Sequence, residues 1–151
     1  MDKVTSQGEP EMKVQGGVID PNLRAFSEHF ASGPGYERDI LSNLLEDTNE
    51  DTVLRILAHF NENLKEGCQK INEATSAENC ETVWKTAHKI AGSAELLGFR
   101  DYANRARELS RLVRANPVFD SHIEEITKFL KSTTELTAEI SATCPGLNSF
   151  L

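Results

Sequence analysis

The sequence predicts an all-α protein, an antiparallel four-helix bundle with short extra helices at its N-terminus. Three observations lead there. Four long segments carry apolar residues at helical spacing. Cap and stop residues bound these segments. No stretch alternates apolar and polar residues long enough to read as a strand.

Residues 1–17 mix Gly, Glu, Lys and Gln without periodicity and read as a disordered N-terminal arm. VIDPNLRAFSEHF then reads as a short helix, with Asp20 as N-cap and Pro21 at its first position. SGPG at 32–35 breaks it. YERDILSNLLED follows, with Ile40, Leu41, Leu44 and Leu45 as its apolar residues. Thr48 with Asp51 forms an imperfect capping box. It opens a long helix carrying Val53, Ile56, Leu57, Phe60, Leu64 and Ile71. Thr75 with Glu78 is a capping box for the next helix, which contains His88 and stops at Gly98, a suitable C′ residue. RDYANRARELSRLVRAN is a fourth amphipathic segment, ended by Pro117. Ser121 with Glu124 caps the last helix, whose apolar residues are Ile123, Ile126, Phe129, Leu130, Leu136 and Ile140. The bundle is expected over residues 18–142 and a tail over 143–151, with LNSFL either frayed or docked.

The chain has 151 residues, so one domain is expected. The formal net charge is −8. That argues against nucleic acid and anionic membrane as partners, which call for basic patches. No apolar run approaches the ~20 residues of a membrane span. MDKVTSQGEPEMKVQGG lacks the apolar core of a secretory signal. Cys68, Cys80 and Cys144 form no CxxC pair and fit incidental or buried thiols in a reducing cytosol. The expected location is therefore cytoplasmic. His29, His59 and His122 lie on different segments without metal-ligand spacing, so no metal site is expected.

TAHKIAGSAELLGF, residues 86–99, holds the feature that asks for a function. Gly92 sits inside a helix, where glycine costs ~1 kcal/mol relative to alanine. With residues placed ~100° apart, Val83, Ala87, Ile90, Ala94 and Leu97 form the core face, and His88 falls roughly 140° away. Its surface neighbours are Trp84, Lys85, Ala91 and Gly92, with Glu95 two turns along. Two readings follow. In one, His88 is an ordinary surface histidine and Gly92 lets a neighbouring helix approach. In the other, Gly92 makes room for another molecule, and an imidazole flanked by lysines performs chemistry on phosphate. The neutral ring is a nucleophile, and ammonium groups offset phosphoryl charge.

AHKIAGSAELLGF resembles the signature of histidine-containing phosphotransfer (HPt) domains. Ala87, His88, Ile90, Gly92, Ser93, Ala94 and Gly98 match it in type and spacing. Phe60 occupies the usual aromatic position of the preceding helix, and YANRARELSRL fits the following one. The resemblance covers roughly residues 45–140. It implies a four-helix bundle whose exposed His88 accepts a phosphoryl group from an aspartyl phosphate on one receiver domain and passes it to an aspartate on another. It implies response-regulator receivers and a hybrid sensor histidine kinase as partners, Mg2+ on the receiver, no cofactor in this chain, and a monomer. No nucleotide-binding loop or kinase motif is present in the sequence. In the family a lysine usually stands three residues after the histidine, where this chain has Ala91. Lys85 and Lys89 are left as the charge partners of His88.

The docking face expected around His88 comprises Trp84, Ala91, Gly92, Glu95, Leu96 and Phe99. Trp84, Leu96 and Phe99 also suit ordinary packing. Glu95 either orients the ring or is simply solvated. Arg100, Arg105, Arg107, Arg111 and Arg114 form a solvated face or meet acidic groups on a receiver. The alternative function is a non-catalytic helical interaction module that keeps the fold.

Overall fold

The computed structural model describes residues 18–31 and 33–151. The expected N-terminal arm, residues 1–17, lies outside them, as does Ser32 of the Ser-Gly-Pro-Gly break. Among the described residues there are six α-helices: α1 (Pro21–Phe30), α2 (Arg38–Asp47), α3 (Glu50–Ser76), α4 (Cys80–Leu96), α5 (Arg100–Ala115) and α6 (Ile123–Thr143). Short 3-10 turns at Phe119–His122 and Leu147–Phe150 precede and follow α6. The fold is the expected one, an antiparallel bundle of α3 to α6 with α1 and α2 added at the N-terminus. α4 packs on α3 and α5, and α6 packs on the same two helices from the other side. Among the described residues, no helix is long and apolar enough to cross a membrane. The single extended pairing there is an isolated antiparallel bridge between Tyr36 and Phe99.

The helix starts are set by asparagines more than by the expected boxes. At α1 the expected cap is present: the Asp20 carboxylate accepts from the Asn22 and Leu23 amides, with Pro21 at the first position. At α3 the cap is Asn49, whose Oδ1 accepts from the Thr52 amide at 2.8 Å. Thr48 instead donates its hydroxyl back to the Leu44 carbonyl and closes α2. α3 runs on to Ser76, so Thr75 is helical and donates to the Ile71 carbonyl. Asn79 then caps α4 through the Thr82 amide at 3.1 Å. Glu78, at φ 54°, takes the left-handed conformation that reverses the chain before it. The Ser121 box is also replaced: the 3-10 turn leads directly into α6, with no side-chain cap at His122. An asparagine carboxamide satisfies a first-turn amide as well as a threonine hydroxyl does, and chain reversal decides which is placed to do it.

Gly98 does occupy C′ of the His88 helix, at φ 93°. A Cβ there would fall 2.8 Å from the Tyr36 ring as well as being strained. The turn sends Phe99 inward. Phe99 stacks on Phe60 at 5.4 Å between centroids and meets Phe26, Phe30 and Tyr36 edge-on. This aromatic cluster closes the end of the bundle next to α1. Ile56 and Ile123, which share the helical apolar spacing, lie at the exposed edges of their helices.

Gly67 is the glycine of α3 that packs directly on α4. A Cβ there would come within 2.7 Å of Ile90 Cδ1. The tail is docked: Leu147 is buried and its turn packs on α3. The Gly146 amide donates to Asn22 Oδ1 and the Cys144 thiol to the Asn22 carbonyl. At the other terminus the Glu50 carboxylate accepts from the Ile19 and Asp20 amides, and Arg24 donates to the Val18 carbonyl.

Candidate functional site

α4 presents His88 at mid-helix because Val83, Ala87, Ile90 and Ala94 bury the opposite face. His88 is exposed, and so are Lys85, Lys89, Gly92 and Leu96 around it. Leu96 is 74% exposed. Gly92 has open space: a Cβ there would meet nothing within 4 Å. The reading in which Gly92 lets a neighbouring helix of the same chain approach is therefore removed. The glycine packed against a neighbouring helix is Gly67, beside Ile90.

Two of the residues expected on the docking face are elsewhere. Ala91 is 2% exposed, on the flank of α4 that turns toward α5. The helical wheel puts it beside His88, but it does not show that a second helix covers that flank. Phe99 is 5% exposed because the Gly98 turn directs it into the aromatic cluster. Trp84 is half-buried. Its ring lies under the Arg114 guanidinium, 4.7 Å from the ring centroid, and its carbonyl accepts from Ser110 at 2.9 Å. Glu95 is exposed and forms an ion pair with Arg107 across the helix pair.

The cations near His88 are mostly partnered. Lys85 Nζ sits 2.7 Å from Glu81 Oε2, and that hydrogen bond together with the lysine's charge holds the Glu81 carboxyl below its ordinary range. Arg111 is paired with Glu108 on its own helix, which lowers the Glu108 carboxyl. Lys89 has no ion pair among the described residues. It lies on a groove of about 250 Å³ between α3 and α4, with Asn63, Lys70, Thr86 and Ser93. The remaining arginines are structural. Arg100 donates to Glu37 and to the Pro34 carbonyl, and Arg105 donates to Ser132 of α6.

The other histidines are dispersed. His29 meets Glu139 at 2.8 Å, His122 is buried against the Asn116 carbonyl, and His59 is exposed on α3. The Glu81–Lys85 pair was legible as an i,i+4 spacing. Glu95–Arg107 and Arg114–Trp84 carry no such signal, because they join positions on different helices.

The surface chemistry is thus one imidazole open to solvent, a bare patch of backbone one turn along, an exposed leucine and a set of cations. A partner can bring its own backbone against Gly92 while a group it carries meets the ring. The family model for the Hpt domain matches residues 55–143, a span that contains His88, Gly92 and Gly98. Comparisons with curated proteins and with solved structures returned no match. The matched span takes in most of α3 and all of α4, α5 and α6, and the chain belongs to the Hpt domain family.

Proposed function

We propose that His88 is the phospho-acceptor of a relay intermediate, taking its phosphoryl group from one receiver domain and giving it to another. Membership of the Hpt family carries a general role in histidine phosphotransfer and in interaction with receiver domains. The observation that favours His88 as the acceptor is the open space at Gly92 beside an exposed ring. Among the described residues nothing packs on the glycine, so its cost in helix propensity has a use in docking.

In the step proposed, a lone pair on the solvent-facing ring nitrogen forms a bond to phosphorus. The phosphorus–oxygen bond of the aspartyl phosphate breaks, and the receiver's carboxylate leaves with the electron pair. The second ring nitrogen keeps its proton. Onward transfer reverses the roles, with a carboxylate of the recipient attacking. Mg2+ belongs to the receiver, and Lys85 and Lys89 add positive charge at the edge of the contact. Gly92, Leu96, Glu95 and the edge of Trp84 form the docking face. The chain acts as a cytoplasmic monomer, served by a hybrid sensor histidine kinase and response regulators, and has no kinase activity of its own.

The test is phosphotransfer from a labelled phospho-receiver. The wild-type protein is expected to take up acid-labile, base-stable label, and His88→Gln none, with unchanged helicity and melting because the side chain is exposed. Label in the variant would move the acceptor to another residue. The second reading, a non-catalytic interaction module, is favoured by Ala91 at the position where the family has lysine. It predicts receiver binding without label in the wild-type protein.

A further inference from the structure

The family's lysine position is filled by a buried alanine, so the charge beside a phosphorylated His88 has to come from elsewhere. Residues 85–114 hold seven Lys or Arg against three Asp or Glu, in a chain whose net charge is −8. Most of this excess is on α5. Arg107, Arg111 and Arg114 are spaced four and three residues apart and so share one flank of that helix. The flank faces α4. Ser110 and Arg114 tie it to Trp84, and Arg107 ties it to Glu95. His88 lies between these two ties on the α4 side.

Of the three arginines, Arg114 is spread over an indole ring and Arg111 is held by Glu108 on its own helix. Arg107 is the one whose guanidinium reaches a carboxylate on α4: one amino group donates to Glu95 there and the other to Asn104 Oδ1 on its own helix. That carboxylate is two turns from His88, about 10 Å along the axis. Both side chains of the pair are about half exposed, so the pair is exchangeable.

We propose, resting on the relay reading above, that Arg107 is the phosphoryl-binding cation of this chain and that Glu95 holds it in reserve. In the unphosphorylated protein Glu95 occupies the guanidinium. A phosphoryl group on His88 carries more negative charge than a carboxylate and three acceptor oxygens, and so competes for the same planar fork. Arg107 then changes partner. Glu95 is released into the docking face, where its charge opposes a second phosphoryl group. The role of the missing lysine is thereby moved from the histidine's helix to its neighbour and made conditional on an acid.

Phosphoramidate tests this without any receiver. The His88 ring nitrogen bonds to phosphorus, the phosphorus–nitrogen bond of the reagent breaks, and ammonia leaves. Uptake rates are compared for wild-type, Arg107→Gln, Glu95→Gln, Arg105→Gln and His88→Gln proteins at low and high salt. Arg105→Gln makes the same charge change on the opposite flank of α5. Arg107→Gln is expected to slow uptake about threefold or more, and Glu95→Gln to speed it by up to about fivefold, factors of the size exposed charged contacts carry. The gap between wild type and Arg107→Gln should close at high salt. Label that depends on His88 but is equal in the Arg107 and Arg105 variants overturns the latch and leaves the relay reading standing. Slowing by Glu95→Gln also overturns it, since the pair would then act as a brace. If wild type and His88→Gln label alike, the relay reading fails and the latch falls with it.

Discussion

At Gly92 a methyl group would meet, among the described residues, no heavy atom within 4 Å beyond its own stretch of helix, and the residue lies inside α4 with ordinary helical backbone. Gly92→Ala therefore removes backbone freedom from the unfolded chain and costs the native state no contact. The gain expected from helix propensity is about 1 kcal/mol. For a chain of this size that raises the melting temperature by about 2–4 °C. Gly92→Leu should keep most of the gain, because its side chain projects into the same open space. Transfer should move the other way. The methyl of alanine intrudes slightly on a docked receiver, and the isobutyl group of leucine holds its active site off the ring. A displacement of about 1 Å at a reacting centre costs roughly 10²-fold in rate. Thermal unfolding and rapid-quench transfer from one purified phospho-receiver, run on the three proteins, give both quantities. A melting temperature that rises while the leucine variant transfers at the wild-type rate would remove Gly92 from the docking face. A melting temperature that falls would mean that the space above it is filled in solution.

Lys85→Ala should slow transfer more than Lys65→Ala, since Lys65 is exposed on α3 away from the His88 flank; equal rates would remove Lys85 from the electrostatics of the site. Ala91→Lys should be destabilising by about 1–3 kcal/mol, because a long side chain enters a position that is 2% exposed; urea unfolding reads this, and an unchanged midpoint would show that the lysine escapes to solvent. Burial, with the Asp20 charge adding to it, pushes the Cys144 thiol up from 9.0 to about 11. Above pH 9 the unfolded chain loses this proton and the folded one keeps it, so stability is full below pH 9 and falls as pH rises toward 11. Burial raises Tyr36 and Tyr102 as well, which extends the loss to higher pH. Cys144→Ala should flatten the pH 9–11 part of a stability profile, and an unchanged slope would assign it to other groups.

The bundle was legible because its signals are local. Apolar spacing gave the four long helices, Asp20-Pro21 gave the start of α1, and Gly98 gave the end of α4. The exposure of His88 followed from the same spacing, since one buried face fixes the opposite one. Ala91 and Phe99 were misplaced because their surroundings are set by other parts of the chain. A second helix covers the α4 flank in one case, and a cluster drawn from α1, α3 and the Tyr36 bridge surrounds the ring in the other. The caps were misassigned for a different reason. Thr48 and Asn49, and Thr75 and Asn79, are near neighbours that can each serve a helix start, and the length of α3 decides between them. Of the charges around the site, the pair within a helix has a spacing that a sequence can show, although Lys85 was read only as a partner of His88, and the pair between helices has none.

Asn22 receives hydrogen bonds from Cys144 and Gly146, and Glu50 holds the amides of Ile19 and Asp20, so both ends of the described chain leave the bundle at one pole. This has a mechanical consequence. A stretching force applied between Val18 and Leu151 does not load the four long helices along their axes. It pulls the first and last segments apart from each other and breaks their few hydrogen bonds one after another, as in opening a zip. Resistance to such a pull should be low and should end with α1 and the C-terminal turn detached, while the helices around His88 are still packed. A force sensor or surface tether joined at these two ends would thus report on the pole and leave the His88 flank undisturbed until the first segments have peeled away.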